Sequence, residues 1–289
     1  MVAMKKILVT GGNAGIGFAL CQQLVVEHGC HVYLGSRSLA RGEAAVASIE
    51  AEIPAGCSGK LECVEVDVSD DASVAAAAAA VRASLGADGK LYGLVNNAGI
   101  GLGGQDSDAV MNTNLYGTKR VTEAFLNLVT DRIVNVGSGS GPSYVRNCPI
   151  SAQTALCSVP EDWAAIEALA APSADGTTGQ GSAADTNGSY GLSKAMITQY
   201  TMLLAKQNPA LVVSCCTPGF IDTKLTAGFG ASKKPAEGTV AIKHCLFGDL
   251  AESGWYYGSD GVRSPLHFMR NPGEPVYDGV VPTPADPRI

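Results

Sequence analysis

The 289-residue sequence has few charged side chains and no long apolar segment. Charged residues make up only 16% of it, and no apolar run reaches the roughly 18 residues that a membrane-spanning helix requires. The net charge of -7 argues against non-specific binding to nucleic acid and gives no reason to expect a membrane surface as a partner. The N-terminus lacks the pattern of a signal or transit peptide, so we expect a cytoplasmic protein.

The sequence also lacks the cysteine and histidine spacings of disulfide frameworks and metal sites. Its nine cysteines, an odd number, include no Cys-x-x-Cys pair, and the adjacent Cys215 and Cys216 lie in an apolar run. This usage is typical of a reduced, intracellular protein. The four histidines show no ligand spacing either, and we predict no metal site.

Short apolar and β-branched runs alternate with longer helix-like segments along the chain. This alternation predicts an α/β fold, a doubly wound parallel β-sheet of about seven strands with helices on both faces. The predicted strands are Ile7–Thr10, His31–Gly35, Leu61–Val68, Gly93–Asn96, Arg132–Val136, Leu211–Cys216 and Trp255–Tyr257. The predicted helices are Gly15–Glu27, Ala40–Glu52, Ala72–Ser84, Asp108–Val129, Ser189–Lys206 and Ala236–Gly248.

Two segments interrupt this alternation. Residues 141–188 are rich in Gly, Ser, Ala, Pro and Thr, and they contain one short helix candidate, Pro160–Ala171. A segment of this length inside a compact domain is usually functional. Residues 262–289 form a Pro/Gly-rich tail that we expect to wrap the surface. No shift in composition suggests a second domain, so we predict one catalytic domain over residues 1–289, with an insertion at about 141–188.

A glycine-rich turn, Thr10 to Gly17, follows the first predicted strand and opens the first predicted helix. Gly11 permits the tight turn, Gly15 lets the backbone approach a pyrophosphate, and Gly17 allows the helix to pack closely on the strand. The pyrophosphate would lie at the helix N-terminus, where free N–H groups and the helix dipole favour negative charge. The position of this turn predicts a Rossmann-type dinucleotide site.

The end of the second predicted strand indicates which dinucleotide is bound. A site for NAD normally has Asp or Glu here to bind the ribose 2′-hydroxyl, whereas this chain has Ser36 and Arg37, with Arg41 a turn later. A guanidinium group suits the 2′-phosphate of NADP. We therefore predict NADPH as the cofactor; the alternative is that both arginines are merely solvated surface residues.

Tyr190 and Lys194 are four residues apart in a predicted helix, which puts both side chains on one face. A free tyrosine has a pKa of about 10, too high for ready proton exchange at neutral pH. A neighbouring ammonium favours the phenolate and lowers that pKa, so the pair predicts a general acid/base.

Taken in order, the motifs of the chain resemble the short-chain dehydrogenase/reductase family from about Lys6 to Gly261. The matching segments are Thr10–Gly17, Asp67-Val68, Asn96–Gly99, Thr113–Gly117, Ile133–Ser138, Tyr190-x3-Lys194 and Pro218-Gly219-x3-Thr223. The resemblance implies that Tyr190 protonates a carbonyl oxygen as hydride arrives from the nicotinamide, and that Ser138 hydrogen-bonds the same oxygen. It also implies that Lys194 binds the nicotinamide ribose and that Asn114 holds a water linking Lys194 to solvent.

The same resemblance implies a set of cofactor-binding residues. Asp67 and Val68 would contact the adenine, Asn96 and Gly99 the ribose region, and the segment from Pro218 to Thr223 the nicotinamide end. The full predicted set is Gly11, Asn13, Gly15, Ile16, Gly17, Arg37, Arg41, Asp67, Val68, Asn96, Ala98, Gly99, Tyr190, Lys194, Pro218, Gly219, Ile221 and Thr223.

Several of these residues have structural alternatives that the sequence leaves open. Asn97 could simply satisfy turn backbone groups, and Asp67 could cap the following turn. Ser140 is a rival for the role of Ser138, and Asn112 for that of Asn114.

The spacing of the catalytic residues indicates a branch of the family. Here 52 positions separate Ser138 from Tyr190, and such an insertion resembles the monomeric NADPH-dependent carbonyl reductases and related plant menthone and salutaridine reductases. In them the insertion covers the dimerisation surface. We therefore predict a monomer that reduces a small-molecule ketone or aldehyde. The alternatives are an alcohol or 3-oxoacyl-type dehydrogenase/reductase, and a non-catalytic NADP-sensing protein.

Two departures from the family pattern bear on the substrate. The 15 positions from Gly99 to Asn114 are fewer than usual, which predicts a more open cleft on that side, and Gly137 replaces a common serine, which predicts a looser catalytic turn. We expect substrate contacts from Gly139–Tyr144, the insertion and Lys224–Lys234. Apolar walls would come from Phe220, Leu225 and Phe229.

Overall fold

A seven-stranded, fully parallel sheet forms the centre of the computed structural model, which describes residues 4–101 and 105–281. Its strand order is β3-β2-β1-β4-β5-β6-β7. The strands are β1 Lys6–Val9, β2 His31–Ser36, β3 Lys60–Glu65, β4 Leu91–Asn96, β5 Val129–Val136, β6 Val212–Cys216 and β7 Tyr256–Tyr257. The predicted doubly wound α/β fold is confirmed.

The strand order reverses between β1 and β4, which lie side by side at the centre of the sheet. The chain runs outward from β1 to β3 in one direction and from β4 to β7 in the other. In open parallel sheets, ligands bind in the crevice outside the carboxyl ends of the strands at such a switch point. The fold therefore places its crevice beside the turns that follow β1 and β4.

Helices cover both faces of the sheet. Helices α3, α5 and α9 pack their apolar side chains on one face, and α1, α2 and α10 pack on the other. The helices are α1 Gly15–Val26, α2 Leu39–Glu50, α3 Asp71–Leu85, α4 Ser107–Met111, α5 Gly117–Phe125, α6 Ser140–Asn147, α7 Ile150–Cys157, α8 Trp163–Ala170, α9 Tyr190–Gln207 and α10 Val240–Phe247. No helix within the two described ranges is both long and apolar enough to cross a membrane.

The single helix predicted over Asp108–Val129 is wrong. The structure has α4, a π-helical turn over Asn112–Tyr116, α5 and a 3₁₀ turn over Leu126–Leu128. Val129 already belongs to β5, where it pairs with Leu91 of β4. Apolar spacing did not reveal the π turn, because such a turn adds one residue without interrupting the helix.

The insertion contains two helices that the sequence did not predict, α6 and α7, besides α8, which lies inside the predicted Pro160–Ala171. Helix α6 crosses α9 closely because both helices have glycine at the contact. A Cβ on Gly141 would lie 3.1 Å from the Ala195 nitrogen, and one on Gly191 would lie 3.1 Å from the Ser140 oxygen. Helix α6 is therefore stabilised by packing and not by its poor helix formers.

The C-terminal tail is described as far as residue 281, and the rest of the predicted 262–289 segment lies outside the described residues. It begins with an isolated antiparallel bridge between Arg263 and Tyr257 of β7. The Arg263 guanidinium lies 3.8 Å from the Trp255 ring centre and 5.5 Å from that of Tyr277. Cation–π contacts of this kind hold the tail against the end of the sheet.

Candidate active site

The crossing of α6 and α9 brings Ser138 and Tyr190 together from positions far apart in the sequence. Ser138 follows β5 and precedes α6, and Tyr190 is the first residue of α9. The Ser138 hydroxyl lies close enough to the Tyr190 phenol to lower the pKa of that phenol. Ser140, the alternative to Ser138, instead donates its backbone N–H to the Ser138 hydroxyl oxygen at 3.2 Å. The geometry therefore pairs Tyr190 with Ser138.

Tyr190 is 5% exposed, and Gly101 packs directly on its ring. Gly101 has a φ of +130°, and a Cβ on it would overlap the ring. Gly101 was not among the predicted site residues, because a single glycine after the Asn96–Gly99 motif carries only a weak sequence signal. Burial raises the pKa of Tyr190, and the Ser138 hydrogen bond acts in the opposite direction. The net shift is opposite to the lowering expected from Lys194.

Lys194 is buried behind Tyr190. Its Nζ donates to the Val136 carbonyl oxygen at 3.0 Å and lies 5.6 Å from the Tyr190 ring centre. Burial lowers the pKa of Lys194 to about 8. Because Val136 is the last residue of β5, this bond ties α9 to the sheet at the base of the site.

Asn114 is fully buried in the π-helical turn, a feature that often marks functional positions. Its Nδ2 donates to the Ile100 carbonyl at 2.8 Å and to the Ser193 hydroxyl at 3.0 Å, while its Oδ1 accepts from the Ile100 N–H at 2.9 Å. Ser193 in turn donates to the Tyr190 carbonyl at 2.8 Å. Asn114 thus links the turn after β4 to the first turn of α9.

Asn112, the alternative to Asn114, faces elsewhere. Its Nδ2 donates to the Ser69 carbonyl at 3.3 Å and its Oδ1 accepts from Arg120 at 3.3 Å. The first contact joins the π turn to the loop after β3, and the second joins it to α5. The structure thus brings Asn114 to the catalytic group and leaves Asn112 outside it.

The residue before Tyr190 is held in an unusual conformation. Ser189 has a φ of +66°, in the left-handed region that residues other than glycine rarely adopt. The Asp185 carboxylate accepts from the Ser189 N–H at 2.7 Å and from its hydroxyl at 3.1 Å. Strain of this kind occurs at functional sites and persists only where surrounding contacts hold it. Asp185 and Ser189 were not among the predicted site residues, since no recognised motif contains them.

Gly137 has a packing explanation. A Cβ on Gly137 would lie 2.8 Å from the Cys215 sulfur of β6, and its N–H donates to the Cys216 carbonyl at 2.7 Å. Glycine here makes room for Cys215 and extends the pairing of β5 with β6. The prediction of a looser catalytic turn is therefore not supported by this contact.

The glycine-rich loop after β1 has the backbone that the sequence predicts. Gly11 and Gly15 have φ of +64° and +55°, and Gly17 packs so closely on Gly11 that a Cβ would overlap the Gly11 carbonyl. Asn97 donates from Nδ2 to the Thr10 carbonyl at 2.9 Å. Asn97, which directly follows β4, therefore satisfies a backbone group of the loop, as the alternative interpretation of this residue predicts.

The N-terminus of α1 is available to an anion. No side chain caps it, since Ala14 occupies the N-cap, and no acidic residue lies in its first turn. Gly15 faces Thr223 across the crevice, where a Cβ would lie 3.3 Å from the threonine methyl group. Free N–H groups, a glycine cradle and an uncompensated helix dipole fit the pyrophosphate of a dinucleotide.

Four further predicted cofactor residues, in the loop or close to it, are Asn13, Ile16, Ala98 and Ile221. Asn13 and Ile16 are half-buried, and the Ala98 N–H donates to the Thr10 hydroxyl at 3.0 Å. Gly238 lets Ile16 and Ile221 approach each other, because its absent Cβ would lie 3.2 Å from Ile16 and 2.9 Å from Ile221.

The basic residues after β2 are exposed. Neither Arg37 nor Arg41 forms an ion pair within residues 4–101 and 105–281. Arg37 lies near enough to Asp67 to favour its charged form, although the hydrogen bond from Ser69 is the main reason that the Asp67 pKa is lowered. Asp67 accepts from the Ser69 N–H at 2.9 Å and from its hydroxyl at 2.6 Å, so it does cap the following turn.

Two other predicted cofactor residues are turned into the protein. Asn96 donates to Thr122 at 2.9 Å and to Asn135 at 2.8 Å inside the core. Val68 is buried, and its carbonyl accepts from Arg120 at 2.6 Å. The Asn96 side chain is thus committed to a buried network, which differs from the expected ribose contact.

Gly99 lies on the catalytic side, where a Cβ would be 3.2 Å from Asn114 Oδ1 and 3.5 Å from Lys194 Nζ. On the opposite side of the crevice, Pro218 is half-buried and Gly219 adopts a φ of +87° after β6. The turns after β4 and β6 thus place predicted cofactor residues on two sides of the crevice.

A cavity of about 390 Å³ opens beside Ser138. Its walls come from the turn into α6, from the segment after β6 and from the C-terminal tail. Of the three residues expected to form apolar walls, Phe220 lines it, whereas Leu225 and Phe229 are not among its described walls. Tyr190 is also absent from those walls and lies beside the cavity next to Ser138, which is one of them.

Comparison with known proteins agrees with this geometry. A family model described as short chain dehydrogenase matches residues 5–152. (+)-Neomenthol dehydrogenase of Arabidopsis thaliana is 32% identical over 253 residues, covering 75% of this chain and 83% of that protein. Carbonyl reductase (NADPH) 1 of Mus musculus is 30% identical over 249 residues, covering 80% of this chain and 86% of that protein. Salutaridine reductase from Papaver somniferum superimposes with a TM-score of 0.72 at 26% identity, covering 88% of this chain and 99% of that one. The chain therefore belongs to the short-chain dehydrogenase/reductase family of oxidoreductases.

Proposed function

We propose that this protein reduces a ketone or aldehyde carbonyl with NADPH, with Tyr190 as the general acid. The observation that carries the proposal is that the Ser138 hydroxyl lies beside the Tyr190 phenol at the edge of a cavity, with Lys194 Nζ 5.6 Å from the Tyr190 ring centre. A carbonyl oxygen between two hydroxyl donors is stabilised where negative charge develops. Relatives whose names describe carbonyl reduction, such as the mouse carbonyl reductase, support the same reaction.

Four residues of the chain would have distinct roles in this reaction. NADPH, when bound, supplies the hydride. Ser138 donates a hydrogen bond to the substrate oxygen and fixes its position, and Tyr190 transfers its phenolic proton to that oxygen. Because burial raises the pKa of Tyr190, its proton is present at neutral pH. Lys194 would hold the cofactor ribose. Asn114 would hold the water that returns a proton to Tyr190.

NADPH is preferred over NADH in this proposal because of Arg37 and Arg41. Both guanidinium groups are exposed and without an ion-pair partner among the described residues, at the point where the ribose 2′ position would lie. Arg37 would form charge-assisted hydrogen bonds with the 2′-phosphate. The proposal therefore predicts that removing Arg37 changes the cofactor preference.

The remaining expectations are part of the same proposal. We propose one catalytic domain, a cytoplasmic location and a monomer. The monomer is supported by α8, whose Trp163 packs edge-on against Tyr116 and against Tyr200 of α9, at 5.8 and 5.6 Å between ring centres. Helix α9 is buried from Tyr190 to Leu204, which leaves little of it for a partner subunit. Light scattering at micromolar concentration tests this, and a dimer or tetramer would contradict it.

The test of the reaction is oxidation of NADPH, followed by its absorbance, against a panel of ketones and aldehydes. We expect Tyr190→Phe to lower kcat by about 10²–10⁴-fold, the usual contribution of a general acid, while NADPH still binds. Tyr116→Phe is the matched control, because it removes a phenol near α8 and should leave kcat unchanged. Full activity in Tyr190→Phe would refute the mechanism, and tight NADPH binding without turnover of any carbonyl would favour a cofactor sensor.

A further inference from the structure

The tail residues 268–272 form the outer wall of the cavity beside Ser138. Sequence reasoning placed this tail on the surface and expected the substrate to meet other segments. In the structure, the Met269 Cε approaches the backbone next to Ser138 so closely that a Cβ on Gly139 would lie 3.0 Å from it. The tail therefore reaches the position that a bound substrate would occupy.

This wall is held by a buried ion pair. The Arg270 side chain is only 3% exposed, and its Nη2 lies 2.5 Å from Asp260 Oδ2. Its Nη1 also bonds both Asp260 oxygens, at 3.2 and 3.0 Å. Asp260 lies in the turn just after β7, so the pair ties the wall to the sheet. A bidentate pair of this burial has a fixed geometry.

The wall presents the large, partly exposed apolar side chains of Phe268 and Met269 beside the polar residues Arg270 and Asn271. Met269 is 54% exposed, and Phe220, another residue that lines the cavity, is 51% exposed. Phe268 also lines the cavity and makes an edge-on contact with His267, at 4.8 Å between ring centres. Large apolar side chains left open around a cavity are typical of a binding site for an apolar ligand. Methionine and aromatic side chains also contact flat rings well.

We propose that Phe268 and Met269, held by the Arg270–Asp260 pair, are specificity-determining residues that select carbonyl compounds with a flat, largely apolar ring system. The ring would lie between Met269 and Phe220, with its carbonyl oxygen at Ser138. This inference deepens the proposed function and rests on it for the reaction at Ser138 and Tyr190. Arg270 and Asp260 act as positioning residues.

The test measures binding and turnover separately. Calorimetry gives the dissociation constant of 1-(2-naphthyl)ethanol for the NADPH-loaded protein, in which this alcohol cannot be oxidised. Kinetics give KM and kcat for 2-acetylnaphthalene and for 2-butanone, a small ketone. The variants are Met269→Ala, whose exposed side chain makes misfolding improbable, and Phe268→Ala. Val276→Ala is the matched control, because it is an exposed tail residue outside the cavity walls.

We expect each of the two variants to weaken binding of the naphthyl alcohol about tenfold and to raise KM for 2-acetylnaphthalene similarly. The kcat for 2-butanone should change less than twofold, and Val276→Ala should resemble the wild type. Unchanged naphthyl binding in both variants, or no binding to the wild type, would overturn the inference. If naphthyl binding depends on Met269 but no carbonyl is reduced, the proposed reaction fails and the assignment of the wall stands.

Discussion

The two halves of the chain build their sides of the crevice by different means. Residues 4–136 contain five of the seven strands, and most of their predicted cofactor residues lie at or just after the ends of β1, β2, β3 and β4. Residues 137–281 contain only β6 and β7, and they bring Ser138 to Tyr190 through the crossing of α6 and α9. The cofactor side thus depends on local turns, and the catalytic side depends on contacts between distant segments.

Among the variants that test this difference between the two sides, Gly101→Ala should have the largest effect, a fall in kcat. The new methyl group would overlap the Tyr190 ring and displace the phenol, and a misplacement of about 1 Å can lower a rate about 10²-fold. We therefore expect kcat to fall at least about 10²-fold with the dissociation constant of NADPH nearly unchanged, measured by stopped-flow kinetics and fluorescence titration.

Gly86→Ala is the matched control for this change. Gly86 also has a positive φ, +79°, but a Cβ there would meet nothing within 4 Å. Both variants should lose stability on the order of 1–2 kcal/mol from backbone strain, and only Gly101→Ala should lose catalysis. Equal loss of kcat in the two variants would show that strain, and not contact with Tyr190, is responsible.

The same difference explains what the sequence could predict. All seven strands and the glycine loop were identified because alternating apolar runs and turn residues report local structure. The family resemblance placed Ser138 and Tyr190 at the same carbonyl oxygen, but the helix crossing that brings them together was not predicted, since it depends on α6, whose Ser, Gly and Pro residues predict a loop. Gly101 was missed because it contacts Tyr190, which is far from it in the sequence. Asp185 was missed because neither it nor its partner Ser189 belongs to a motif.

A second prediction acts on the cofactor side alone. Arg37→Asp should lower the preference for NADPH over NADH about 100-fold, because a charged hydrogen bond is lost and a carboxylate faces the phosphate. The kcat at saturating cofactor should change little, since Arg37 follows β2, which β1 and β4 separate from β5 and Ser138 in the sheet. The measurement is kcat/KM for both cofactors.

Arg82→Asp is its control, with the same reversal of charge at an exposed position of α3. If this variant shifts the cofactor preference as much as Arg37→Asp does, the effect is one of net charge and not of a 2′-phosphate site. If neither variant shifts it, Arg37 is a solvated surface residue, as the alternative holds.

The smallest expected effect concerns Lys194, where the two halves meet through its bond to Val136. Burial lowers the pKa of Lys194 to about 8, whereas burial raises that of Tyr190, so the phenol keeps its proton in the range where the lysine loses its own. If reduction needs the ammonium, kcat/KM should be level below that pH and fall about tenfold per pH unit above it. Lys194→Arg keeps a positive charge at all these pH values, so any residual activity should not fall near pH 8. A wild-type profile that stays level to pH 10, or an arginine variant with the same alkaline fall, would assign the loss to a group other than Lys194.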